Sequence, residues 1–136
     1  FTGNVEDEVV SIRTLYNEIT AAVLGGNYEE LKTSDGVTVY KDENHVKEIA
    51  VPAGTDESSY RRFYYYNDDQ LIFAYYEGTS AHRFYFHDEQ LIRWRYSEDA
   101  SAPQNAVNHD LEDSDEYHDW QKTVLKEAET YLQEAI

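Results

Sequence analysis

The stretch Tyr64-Tyr65-Tyr66-Asn67-Asp68-Asp69-Gln70-Leu71-Ile72-Phe73-Ala74-Tyr75-Tyr76 is followed, twenty residues on, by Phe84-Tyr85-Phe86-His87-Asp88-Glu89-Gln90-Leu91-Ile92-Arg93-Trp94-Arg95-Tyr96. Tyr65/Tyr85, Asp68/Asp88, Gln70/Gln90, Leu71/Leu91, Ile72/Ile92 and Tyr76/Tyr96 are identical between the two copies. Each copy is an aromatic run, a short acidic break and a second apolar run, which is the pattern of a β-hairpin. The turns are expected at Asn67–Gln70 and His87–Gln90. A fainter copy runs from Val37 to Val51, with Asp42-Glu43-Asn44 as its turn. Pro52-Ala53-Gly54 and Glu77-Gly78-Thr79 read as connections. Three hairpins in series predict a six-stranded antiparallel meander.

Helices flank this centre. Val9, Ile12, Tyr16, Ile19 and Val23 recur at three- and four-residue steps, so they share one helical face. Asn4 suits the N-cap, Glu6, Asp7 and Glu8 suit the positive end of the dipole, and Gly25-Gly26 ends the helix. Tyr28 and Leu31 read as a short continuation of its packing. Near the other end, Asp113 with Glu116 resembles a capping box. It opens a helix whose stripe is Tyr117, Trp120, Val124, Ala128, Tyr131 and Ala135. Between Ser97 and Asp119 the chain carries eight acids and no Lys or Arg, and within it Ser101-Ala102-Pro103-Gln104-Asn105 reads as loop. The expected class is α+β: an N-terminal helix, the six-stranded sheet and a C-terminal helix packed on it, as one domain over residues 1–136.

Composition narrows the function. The chain of 136 residues holds 11 basic and 28 acidic side chains, a formal charge of −17. Such a polyanion repels nucleic acid and anionic membrane alike, so neither is an expected partner. No apolar run approaches the ~20 residues that span a bilayer, so no membrane insertion by this domain is expected. There is no cysteine, hence no disulfide and no thiol nucleophile. The five histidines lack any H-x-x-x-H or H-E-x-x-H spacing, and Asp110–Glu116 does not follow the calcium-loop pattern. No metal, cofactor or catalytic residue is expected, and no enzyme motif is present.

The arginines carry the binding expectation. Five of the six, Arg61, Arg62, Arg83, Arg93 and Arg95, lie within the strong hairpins among Tyr, Phe and Trp. If each turn has an even number of loop residues, Arg62, Tyr64, Tyr66, Leu71, Phe73 and Tyr75 share one face, whereas an odd-length loop would re-pair these sets. His82, Phe84, Phe86, Leu91, Arg93 and Arg95 continue it. The candidate binding surface is therefore Arg62, Tyr64, Tyr66, Phe73, Tyr75, His82, Arg93 and Arg95. Its chemistry suits an unidentified protein, a glycan or a small acidic ligand. The competing reading is that these arginines pair with the protein's own acids and stack on its own tyrosines. The acidic stretch Glu98–Asp119 is expected to fold back toward them.

The run Tyr64 to Ala74, with His82-Arg83-Phe84-Tyr85-Phe86 and Gln90-Leu91-Ile92-Arg93-Trp94, resembles extracytoplasmic domains of uncharacterised Gram-positive bacterial proteins. Those domains follow a lipoprotein leader or a zinc-ribbon-plus-transmembrane segment. The resemblance implies a location outside the membrane, anchored through a segment upstream of Phe1, and brings no catalytic residues. Ile12-Arg13-x-Leu15-Tyr16, Ala21-Ala22-Val23 and Gly26-Asn27-Tyr28 are also similar to the opening helix of SnoaL-like cone domains. The leading expectation is a non-catalytic extracytoplasmic binding or interaction module. The alternatives are a SnoaL-like small-molecule or degenerate enzyme pocket, and a structural spacer in a membrane-anchored protein.

Overall fold

A computed structural model describes residues 1–56 and 59–136. Helix α1 spans Val5–Leu24 and helix α2 spans Asp115–Ala135. Between them run β1 (Glu29–Lys32), β2 (Thr38–Asp42), β3 (His45–Val51), β4 (Arg61–Asn67), β5 (Gln70–Glu77), β6 (Ala81–His87), β7 (Gln90–Ser97) and β8 (Val107–Asp110). All pair antiparallel with their sequence neighbours, giving one eight-stranded meander in the order β1 to β8. The class is α+β, and six strands understate the sheet. The two extra strands are its edges. Residues 29–32 look like helix overrun in sequence and residues 107–110 like acidic loop. Each gains its ladder from a neighbour rather than from its own pattern.

The helices cover opposite faces. Val9, Ile12 and Ile19 of α1 are buried with Tyr65, Phe73, Tyr85 and Ile92. On the other side Tyr117, Val124, Ala128 and Leu132 of α2 are buried against a larger core that includes Tyr64, Tyr66, Phe84, Phe86 and Trp94. Trp120 and Tyr131 are only partly buried, so the deepest stripe of α2 runs through Tyr117 and Leu132 instead. The cap of α2 is Ser114, whose side chain accepts from the Tyr117 N–H at 3.1 Å, one residue beyond the expected Asp113. At α1 the Asn4 side chain accepts from Asp7 N–H at 3.0 Å, as its sequence position suggests.

The strong hairpins turn where their sequences break. Asp68 and Asp69 have φ of 50° and 63°, and Asp88 and Glu89 have φ of 45° and 66°. Two successive left-handed residues are the signature of a type I′ turn, whose twist matches that of the flanking strands. Just beyond each turn the register slips. Tyr66 pairs with Leu71 and Tyr65 with Phe73, leaving Ile72 over; Phe86 pairs with Leu91 and Tyr85 with Arg93, leaving Ile92 over. The β2–β3 hairpin skips Lys47 in the same way. These bulges overturn the expected shared face. Past each one, the second strand presents the opposite set of side chains. Leu71 thus faces α2 while Phe73 and Tyr75 face α1, and Leu91 faces α2 while Arg93 faces α1.

Candidate functional site

Because of the bulges, the eight expected binding residues do not form one surface. Arg62, Tyr64, Tyr66 and His82 lie on the α2 side and are occupied there. Arg62 pairs with Glu127, donates to the Tyr131 hydroxyl at 3.1 Å and lies 5.5 Å from that ring's centre. The Tyr64 and Tyr76 hydroxyls share a hydrogen bond of 2.8 Å, and the Tyr66 hydroxyl donates to the Ala128 carbonyl at 2.7 Å. Burial holds both phenols far above their ordinary range. His82 accepts from the Trp94 indole N–H at 3.0 Å, and desolvation pushes its imidazole down to about 4, so it is neutral.

The other four face α1. Arg93, 7% exposed, makes a two-pronged contact with Asp110 of β8 at 2.8 and 3.0 Å and reaches Glu6 of α1 at 2.8 Å. Hydrogen bonding to Asp110 holds its guanidinium firmly charged. The acidic stretch therefore does return to the arginine-bearing strands, through β8. Arg95 donates to the Asn108 side chain at 2.8 Å. Phe73 and Tyr75 help to form a groove on this side, while Tyr66 and Arg62 line separate clefts on the α2 side.

The α1-side groove lies between α1 and strands β5 and β6, with a volume of about 320 Å³. Ile12, Arg13, Tyr16 and Asn17 come from the helix; Phe73, Tyr75, Arg83 and Tyr85 come from the sheet. The helix contribution follows from its periodicity: Ile12 and Tyr16 belong to the apolar stripe, and Arg13 and Asn17 sit one step around from it. The sheet contribution follows from the ladder, in which Tyr75 pairs with Arg83 and Phe73 with Tyr85. Tyr16 meets Phe73 edge-on at 5.3 Å, and Phe73 tilts against Tyr85 at 4.9 Å. These rings form a rigid aromatic floor.

The guanidiniums of this face differ in their ion pairs, although the Glu77 carboxylate also acts electrostatically on Arg83. Arg61 pairs with Glu77 and Arg93 with Glu6 and Asp110, whereas no ion pair among the described residues reaches Arg13, Arg83 or Arg95. Arg83 instead lies 4.8 Å from the centre of the Tyr75 ring. The Tyr75 hydroxyl donates to Glu77 at 2.6 Å; burial, and then that carboxylate, push the phenol up to about 12. Across the next ladder Arg83 pairs directly with Arg95. Two like charges in register repel, a cost that an intervening anion would relieve.

Behind the floor sits Glu48 of β3, 7% exposed and cross-strand from Tyr65. Desolvation lifts its carboxyl to about 7, opposed by hydrogen bonding to the Tyr65 hydroxyl. Tyr65 in turn meets Tyr16 edge-on at 4.9 Å. The groove residues Arg13, Tyr16, Asn17, Arg83 and Tyr85 are absent from the expected surface. The available signal was the Arg13–Asn17 step beside an apolar stripe, which by itself does not point at any strand. Comparison with protein-family models, curated proteins and solved structures finds no match to this chain.

Proposed function

We propose that this chain is a non-catalytic binding module that takes a small organic anion in the groove between α1 and the sheet. One observation carries the reading. In a chain with 28 acidic side chains, Arg13 and Arg83 converge on one groove, and no ion pair reaches either among the described residues. Guanidiniums beside aromatic rings suit a carboxylate, which accepts two parallel N–H donors. The net charge of −17 opposes any anion at long range. The ligand must therefore be held by short contacts inside the groove rather than drawn in by the overall field.

The groove is lined by apolar and aromatic side chains, two guanidiniums and one amide, a set made for holding rather than for moving protons. It contains no histidine, which favours an open binding groove over a histidine-lined cone pocket. A spacer role accounts for Arg61, Arg62 and Arg93, which are tied internally, and leaves Arg13 and Arg83 without a carboxylate partner in an ion pair among the described residues. The proposal includes the extracytoplasmic, membrane-anchored setting that the sequence resemblance implies.

The test is calorimetric titration with a panel of organic carboxylates and their neutral amides. The expected result is measurable binding of acids but not amides, weakened at least tenfold in an Arg13→Ala, Arg83→Ala double variant. Equal affinity of the double variant and the native protein would remove the groove from consideration.

A further inference from the structure

Resting on that reading, we infer that the anion is an aromatic carboxylate: one aryl ring joined to a carboxylate by a short tether. The argument begins with size. A groove of about 320 Å³ lies at the small end of small-molecule sites, room for one ring and its substituent rather than for a lipid or an oligosaccharide.

The lining is divided by chemistry. Phe73 and Tyr85 are buried, with Ile12 beside them, and form an apolar floor; Arg13 is exposed and Arg83 half-buried at the rim. Floor rings already meet one another edge-on or tilted, and an incoming aryl ring extends the same packing. An inorganic anion would leave that floor unused. An aliphatic acid would cover it without the ring-to-ring geometry.

Arg83 is also held in place. Its guanidinium lies against the Tyr75 ring at 4.8 Å while Arg95 repels it from the adjacent strand. A guanidinium packed on a ring loses less freedom on engaging a carboxylate than a free one. Arg13, from the helix side, supplies the second charge. A ring on the floor with a carboxylate between these two arginines satisfies both halves of the groove.

This chemistry has two sources, a free aromatic acid and the C-terminal aromatic residue of a peptide. The experiment titrates the intact chain at neutral pH with five probes. They are 3-(4-hydroxyphenyl)propionate, its primary amide, hexanoate, inorganic phosphate and an N-acetylated tripeptide ending in tyrosine. We expect the aryl acid to bind at least tenfold more tightly than amide, hexanoate or phosphate. Arg83→Lys, which keeps the charge and loses the fork, is expected to weaken it about tenfold; Arg13→Ala, at an exposed helix position that does not threaten folding, does likewise. Tripeptide binding equal to that of the free acid supports the class and assigns it to chain termini; tripeptide binding tenfold weaker supports the class and assigns it to free acids. Hexanoate or phosphate binding within twofold of the aryl acid overturns this inference while leaving an anion-binding groove. Absence of binding by every acid overturns the proposed function itself.

Discussion

Arg83 lies 4.8 Å from the centre of the Tyr75 ring, and the two residues are direct partners across the β5–β6 ladder. As ladder partners they share a face, and that face looks at α1 because Ile72 is skipped between β4 and β5, which turns the distal half of β5 toward α1. One extra residue after a turn thus decides which arginines meet which aromatics. With the second skip at Ile92, it leaves Arg62 and His82 on the α2 side and puts Tyr75, Arg93 and Arg95 on the α1 side.

Arg93 is the clamp that joins α1, β7 and β8. Truncating it leaves Asp110 and Glu6 without their guanidinium. Both carboxylates are partly exposed and regain water, so we expect Arg93→Ala to cost about 2 kcal/mol, below the full value for a buried pair. Hydrogen exchange locates the effect: protection should fall in Val107–Asp110 and persist in β4 to β6. Unchanged protection in β8 would show that the ladder with β7 suffices.

Two buried groups make opposing contributions to pH dependence. Glu48, lifted from 4.5 to about 7, stays protonated in the fold while the unfolded chain ionises, so its stabilisation present in acid is lost as pH rises through that window. His82, lowered from 6.5 to about 4, stays neutral while the unfolded chain protonates, so its stabilisation present near neutrality is lost as pH falls. At ~1.4 kcal/mol per tenfold, the two slopes nearly cancel over the range from about pH 5 to about pH 6.5. Glu48→Gln should therefore unmask a stability that rises by about 2 kcal/mol over that range. His82→Gln should unmask a fall of similar size. Denaturant midpoints measured across pH report both slopes, and parallel curves for both variants and the native protein would contradict the assignment.

One residue of the I′ turns is poorly suited to its place. Glu89 adopts φ 66° without the short polar side chain that makes Asp or Asn tolerable there. Replacing it by glycine should stabilise the protein by about 0.5–1 kcal/mol after the entropic cost of glycine in the unfolded chain. Chemical denaturation gives the answer directly. A destabilised Glu89→Gly variant would mean that the glutamate side chain contributes packing that outweighs its strain.

Trp120 is partly buried yet meets Tyr76, His82, Phe84 and Trp94 with ring centres 4.7–6.1 Å apart. Trp120→Ala should cost about 3 kcal/mol, the low end for a large aromatic because its outer edge is already in water. Loss of Trp near-ultraviolet dichroism should accompany it. A cost within error would make the first half of α2 dispensable.

The hairpins, both helices and the class were legible because turn residues and 3.6-residue periodicity announce themselves locally. The bulges were not. Both faces of this sheet are covered by a helix, so aromatic and aliphatic residues occur at every strand position and alternation does not label a face. Nothing in Leu71-Ile72-Phe73 shows that the middle residue is unpaired. The edge strands Glu29–Lys32 and Val107–Asp110 were hidden for a related reason: four polar-rich residues pair because a neighbour offers a free edge. Arg13 stayed outside the expected site because its partner strands could not be oriented without the bulges.

The central claim is that Arg13 and Arg83 hold an organic anion while the tied arginines do not. The measurement is an NMR titration of the six arginine side-chain N–H groups with 3-(4-hydroxyphenyl)propionate. The account predicts saturable shifts at Arg13 and Arg83, with Arg61, Arg62 and Arg93 unmoved. No shift at any arginine, or equal unsaturated drift at all six, would contradict it.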